Sequence, residues 1–571
     1  MKLNSKKQRV TFIVFGIVLI ILYGKNICLK PTVWELGDEA MYIWNAAYMS
    51  GFDWSGVQYN AYFGFGYSLF LIPSFFFAKT GIDIIRWAFL VNLLFVIGAY
   101  IVISLLLWNI SCKSNSLGLP FIAFIACINP AVYSNTIKVV SETCLFFFYC
   151  FGILLFYFAV TKRKYGYYLG TAMVYAFEFF VHTRSIVNTI AVSMLLLLVC
   201  IKEKGRTRKQ LILYGCVFFA AFAALYNVKQ YLMDGILKNA ISSSEDMANI
   251  INSHFITDRI KWIFATGIWN YICCFMAKLF YSVYETGGMI VWAFCYIIKC
   301  AKKFMQNQSY DGKEITVILV LLSYTLTIIA CTFTGTGSNA QYAFYGRYFE
   351  YTIPLVMVCG IYYFIYIKNE NLKFIFALWC IVILAGIIVK NWCLNFLPDQ
   401  SIVLDTCRLA AFSRALTNEA QLDQVLLFII SMISVCFAAQ AFCSRYNVKI
   451  MQFAPILLTG IILWDNCDIC ASIIHKAHMS GEADAAIAEY IYQKYDNQDT
   501  IFIDDKSYHY DLYYSRMQVL LFDKEFKVQD NKDGIKNGDY VILYNGSEMD
   551  MDGYELLMKG SVFKLYKKLL V

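Results

Sequence analysis

The stretch Trp34-Glu35-Leu36-Gly37-Asp38-Glu39-Ala40-Met41-Tyr42 lies between the first and second strongly apolar runs of the chain. Two adjacent carboxylates, Asp38 and Glu39, sit where charge is otherwise scarce. An aromatic-rich helical pattern follows, then a Gly/Tyr loop, Tyr62-Phe63-Gly64-Phe65-Gly66-Tyr67-Ser68, running on to Pro73. Carboxylates at a membrane surface are costly to keep dry, so they are either solvated or employed.

The apolar runs on either side decide the fold class. Of 571 residues, 59% are hydrophobic, 18% aromatic and only 15% charged, far from the soluble norm. Many runs approach the roughly 20 residues that span a bilayer, which makes the chain a polytopic α-helical membrane protein. The shorter alternating segments of a β-barrel are absent. The net charge of +8 is therefore no nucleic-acid signal, since much of the basic excess lies in short loops, where it reports orientation. Most of the 20 cysteines fall inside apolar spans and behave there as small hydrophobes. Cys467 and Cys470 have metal-like spacing, but no second pair follows at ligand distance.

Lys2, Lys6, Lys7 and Arg9 precede the apolar run Val10 to Gly24, and no small-residue cleavage pattern follows; it reads as an uncleaved first span. Further spans are expected near 84–108, 117–133, 142–160, 167–182, 185–201, 211–228, 286–300, 315–333, 351–367, 373–390, 424–443 and 450–471, about thirteen in all. Glu178, His182 and Arg184 interrupt 167–201, so two spans are expected there rather than one. With that count Lys162-Arg163-Lys164, the run Lys202 to Lys209 and Lys302-Lys303 fall on the N-terminal side. The positive-inside bias then puts the N-terminus in the cytoplasm and the C-terminus outside, with the loop carrying Asp38. The membrane domain is expected over 1–475, with a first outer loop at 28–83 and a longer one at 229–285. From 476 to 571 charge rises and long apolar runs stop. A helical pattern at 482–495 and strand-like patches at 500–504, 519–522, 540–544 and 562–566 read as a small extracytoplasmic α/β domain.

Several residues suit chemistry, each with a plainer reading beside it. Asp38, after Gly37, would cap a helix over 39–50, and Glu39 points about 100° away from it on that helix. Arg347, in Tyr345-Gly346-Arg347-Tyr348, would snorkel to the interface or hold a phosphate bidentately. His182 and Arg184 close a span on the same side, with Glu178 four residues before His182 as a local partner. Glu142 opens a span, where a carboxylate favours the helix dipole. His475 and His478 share a helix face without a nearby acid at ligand spacing. Asp550-Met551-Asp552 lies in a polar turn of the outer domain, where nucleotide sugars would be scarce.

The order and sidedness of these motifs resemble those of integral-membrane GT-C glycosyltransferases. The matching features are Gly37-Asp38-Glu39, the following helix with Tyr42, Asn45, Ala46 and Tyr48, and the Phe63 to Pro73 run. Ser141-Glu142 at the start of a span, His182-Thr183-Arg184, and Tyr345-Gly346-Arg347-Tyr348 with Glu350 and Pro354 complete the set. The chain looks like the bacterial relatives of dolichyl-phosphate-mannose protein mannosyltransferases and aminoarabinose transferases. That resemblance implies a polyprenyl-monophosphate-sugar donor and transfer, with inversion, to a cell-envelope glycan, lipid or protein at the outer face. On it, Asp38 is the general base, with Glu39 beside it. Arg347, with Arg184 and His182, holds the lipid phosphate. Tyr42, Tyr62, Tyr345 and Glu142 position the substrates. Some relatives use a divalent cation beside the acidic pair, but two carboxylates are too few to cage one alone. The rival outside enzymology is a transporter or flippase of lipid-linked sugars, which would place acids or broken helices in two related halves. Within enzymology the rival is an O-antigen-ligase-like transferase using a diphosphate-linked donor.

Overall fold

The computed structural model describes residues 6–28, 38–54, 64–111, 118–202, 206–237, 261, 265, 267–306, 311–335, 343–367, 372–397, 421–445, 453–494, 500–504, 513–529, 535–536, 539–547 and 549–569. Helix α1 (Lys6–Gly24) is followed by α2 (Asp38–Met49), α3 (Gly81–Ile110), α4 (Gly118–Cys127), α5 (Pro130–Thr136), α6 (Glu142–Lys162), α7 (Tyr165–Val181), α8 (Ile186–Lys202) and α9 (Arg206–Leu237). Next come α10 (Ile268–Glu285), α11 (Met289–Gln306), α12 (Gly312–Gly335), α13 (Ile353–Tyr362), α14 (Leu372–Phe396), α15 (Leu422–Arg445) and α16 (Phe453–Lys494).

The expected spans fall on helical residues, those at 117–133 and 351–367 on more than one helical element, and the chain is a multi-pass membrane protein. Among the described residues, however, nine helices are long and apolar enough to cross a bilayer, or ten if α4 and α5 count as one span bent by 55°. The bend has a local cause. Pro130 opens α5, and the Asn129 side chain accepts from the Ala131 N–H at 3.0 Å, starting a new helix instead of continuing the old one. The 167–201 region is indeed two helices. His182 takes an extended conformation (φ −158°, ψ 130°) and ends α7 before the turn at Thr183–Ser185.

The segment expected as a loop over 229–285 differs most from the reading of the sequence. Helix α9 runs on to Leu237, and Ile268–Glu285 forms α10, with Tyr281, Cys274 and even Lys278 buried. The last expected span and the helical pattern at 482–495 are likewise one element. The 42 residues of α16 make a rod of about 63 Å, so the C-terminal sheet follows directly on a long helix.

That domain is a five-stranded mixed sheet of order β2-β1-β3-β5-β4, from β1 (Thr500–Asp504), β2 (Glu525–Gln529), β3 (Tyr540–Tyr544), β4 (Tyr554–Lys559) and β5 (Phe563–Lys568). Strands β1 and β2 pair in parallel, as do β1 and β3, while β5 is antiparallel to both its neighbours. The apolar patch at 519–522 is not a strand. It ends helix α17 (Tyr513–Leu520) and begins a turn, with the Leu521 N–H donating to Met517 O at 2.9 Å. Four apolar residues are too few to separate a buried helix end from a strand.

The same turn seats the sheet on the segment after α2. Trp54 Nε1 donates to the Phe522 carbonyl at 2.9 Å, and the Phe522 ring meets Phe52 and Phe75 at centroid distances of 5.7 and 6.1 Å. At the start of α3 the Val519 carbonyl lies so close to Gly81 that no side chain would fit there. Helix α2, the N-terminal end of α3 and the sheet domain therefore share one end of the bundle.

Candidate active site

Glu142 is the centre of the site. It opens α6, is 2% exposed, and offers one oxygen to two cations from far apart in the chain. Its Oε1 accepts from Arg184 Nη2 at 2.8 Å and from Arg347 Nε at 3.0 Å. Arg184 arrives on the turn that His182 forces between α7 and α8. Arg347 arrives on the turn preceding α13. Arg347 is buried and Arg184 nearly so, and both pair directly with the one carboxylate. Arg184 also lies over the rings of Tyr348 and Tyr351, at 5.1 and 5.9 Å from their centroids.

Two features fix Arg347. Gly346 packs against Tyr281 and Glu350 so tightly that a Cβ would lie 2.7 Å from Tyr281 Cζ, which only glycine avoids. The Tyr281 hydroxyl donates to Glu350, and Lys278 donates to the Ala343 carbonyl at 2.9 Å. Helix α10, unrecognised as a core element in the sequence, thus supports the arginine turn. Tyr345 is buried with its ring 4.5 Å from that of Tyr348.

Helix α2 is tied to the residue next to Glu142. The Tyr42 hydroxyl and Ser141 Oγ are 2.7 Å apart, and Ser68 Oγ donates to the Tyr42 carbonyl at 2.8 Å. Burial and the nearby Glu142 carboxylate push the Tyr42 phenol above its ordinary range, so it stays protonated. Glu39 is 2% exposed, and its Oε1 accepts from the Val139 N–H at 2.7 Å. Asn92 joins these pieces. Its carbonyl oxygen accepts from Tyr67 and Thr143, at 3.1 and 2.6 Å, and its amide donates to the Lys138 carbonyl at 2.7 Å.

Asp38 is the first residue of α2, one helical turn before Tyr42 and so on the same face. Its side chain, and the whole of Tyr62, lie outside the described residues, as do the side chains of Cys470, His475 and His478. His182 Nδ1 accepts from the Arg184 N–H at 3.2 Å, which orients the arginine turn. The local Glu178–His182 side-chain pair is not formed. Because α7 ends at Val181, His182 leaves the helical face, and Glu178 instead accepts from Asn188 Nδ2 at 2.8 Å. Asp550 and Asp552 close a turn on themselves, Asp550 Oδ1 accepting from the Asp552 N–H at 3.1 Å. Among the described residues no three carboxylates, histidines or cysteines converge as metal ligands.

Lys138, 1% exposed and within electrostatic reach of Glu350, escaped the sequence reading. A single lysine in a short polar connection looks solvated, and nothing local marks it as buried. The site as a whole has one further property. Arg184 Nε and Nη1 are buried and have no acceptor within hydrogen-bond distance among the described residues. Leaving such donors dry costs about 1–3 kcal/mol each, and more on a charged group.

The sequence matches no protein-family model and no curated protein. The structure, by contrast, superposes on a known architecture. The chain has the fold of the integral-membrane GT-C glycosyltransferases. It is similar to the crystal structure of ArnT from Cupriavidus metallidurans bound to undecaprenyl phosphate, with TM-score 0.52, 12% identity and 98% of each chain covered. The apo structure of that protein gives TM-score 0.52 at 11% identity, with 97% of each chain covered.

Proposed function

We propose that the chain is an inverting glycosyltransferase that moves a sugar from a polyprenyl-monophosphate donor to a cell-envelope acceptor at the outer membrane face. The observation that carries this reading is the pair Arg184–Arg347 gathered on Glu142 near Tyr42 of α2, with two Arg184 donors left open. Two guanidiniums against one carboxylate leave a net single positive charge, which matches the single negative charge of a sugar phosphodiester. The undecaprenyl phosphate bound in the similarly folded ArnT structure is in keeping with such a ligand.

In this mechanism Asp38 takes the proton of the acceptor hydroxyl as its oxygen attacks the anomeric carbon. Arg184 and Arg347 hold the phosphate and stabilise the charge it gains as it leaves. His182 orients Arg184 through its amide, and Tyr42 ties α2 to Ser141, so base and phosphate site are held by one hydrogen-bonded unit. Glu39 anchors α2 through Val139 rather than acting on substrate. Tyr345 packs behind the arginine turn, and Tyr62 is assigned to sugar contact with the first loop.

Arg347→Ala tests this assignment. Losing a charge-assisted contact of about 1.5–3 kcal/mol should raise the KM for the donor roughly 10- to 100-fold. The KM for the acceptor should stay nearly constant, as measured by label transfer from polyprenyl-monophosphate sugars. Equal effects on both substrates would remove Arg347 from the phosphate site. Transfer from diphosphate-linked donors alone would replace the donor class.

A further inference from the structure

Lys229 has no counter-charge among the described residues, yet it is only 8% exposed, on the packed face of α9. Its position follows from the stripe it belongs to. On α9, Phe222, Leu225, Lys229, Met233 and Ile236 recur at helical spacing. Phe222 meets Phe179 of α7 at 4.5 Å between centroids, and Met233 and Ile236 pack with Phe180 and Phe65. Lys229 therefore faces the end of α7, where the chain turns through His182 to Arg184. His182 feels its charge together with those of Arg184, Arg347 and Glu142. A lysine at that place could cap the last carbonyls of α7, but it makes no such hydrogen bond, and the Phe180 carbonyl is taken by the Gly66 N–H at 3.1 Å.

We propose that Lys229 binds the phosphate of the departing lipid and answers the second negative charge that appears during transfer. This rests on the glycosyl-transfer reading above. In that reaction the bond from the anomeric carbon to the phosphate oxygen breaks and its electron pair stays on the phosphate. The acceptor oxygen bonds to the carbon from the opposite face, and its proton goes to Asp38. The donor diester carries one negative charge, and the lipid monoester that leaves carries close to two near neutrality. Arg184, Arg347 and Glu142 together offer one net positive charge, enough for the donor only. The other charged groups nearby are engaged: Glu350 with Tyr281 and with the charge of Lys138, Lys278 with the Ala343 carbonyl, and Glu39 with the Val139 N–H. Lys229 supplies the missing charge. An interaction that strengthens only as the leaving group forms lowers the barrier without tightening the donor.

The test uses two probes that need no knowledge of the sugar: undecaprenyl phosphate, and its methyl ester, a monoanion like the donor. Their affinities are measured for the full-length protein in nanodiscs. Wild type should prefer the phosphate. Lys229→Met should lose about tenfold for the phosphate and stay within about twofold for the methyl ester, with Lys229→Arg restoring the preference. Equal weakening for both probes, no weakening for either, or a wild type without preference would overturn the assignment of Lys229. A wild type that binds neither probe would overturn the glycosyl-transfer reading, and this inference with it.

Discussion

Asp38→Asn is expected to lower sugar transfer by about 10²- to 10⁴-fold, the usual contribution of a positioned general base. The variant should reach the membrane in normal amount and unfold at the same temperature. Asparagine suits the first turn of a helix as well as aspartate does, and α2 is held elsewhere, through Tyr42, Ser68 and Glu39. What asparagine cannot do is take up a proton. The measurement is steady-state transfer beside the level of inserted protein, and full activity in this variant would remove Asp38 from the mechanism. A loss of inserted protein in step with activity would instead mean that Asp38 serves the helix start.

Glu142→Ala should have the largest effect on stability. It leaves two buried guanidiniums facing each other without an anion, and breaking a buried pair from one side costs about 3–5 kcal/mol. Thermal unfolding of the purified protein should show a clear fall in Tm. Undecaprenyl phosphate should recover part of it by supplying the missing negative charge. An unchanged Tm would show that the cluster is not what binds α6 to the two arginine turns.

Much of this site was legible because its residues lie at the ends of apolar runs. Glu142, Arg184 and Arg347 each stand where a span starts or stops, and all on one side once the loops are alternated. That sidedness, not any single motif, marked them as candidates to meet. The geometry then put Glu142 at the centre, a role that a helix-dipole explanation had obscured.

What stayed hidden were charges inside apolar helices. Lys278 and Glu285 broke the pattern of 268–285, so the segment read as part of an outer loop. Lys278 is tolerated there because the Ala343 carbonyl, far along the chain, accepts a hydrogen bond from it. Lys229 marked the expected end of a span for the same reason. Glu178 was paired by spacing with His182, but the helix stopped one residue too soon. In the C-terminal sheet, β2 and β4 are strands of mixed polarity at one edge and the other, so their apolar content carries little signal. The patch at 519–522, more apolar than either, belongs to a helix end and turn against Trp54.

The central claim is that the start of α2 and the two arginines on Glu142 form one lipid-phosphate site. The most direct measurement is an experimental structure of the protein in nanodiscs with undecaprenyl phosphate. The account predicts the phosphate within hydrogen-bond distance of Arg184 Nε or Nη1 and of the Arg347 guanidinium, with the Asp38 carboxylate facing the space beside it. A lipid phosphate bound elsewhere, with Arg184 still closed on Glu142 alone, would contradict it.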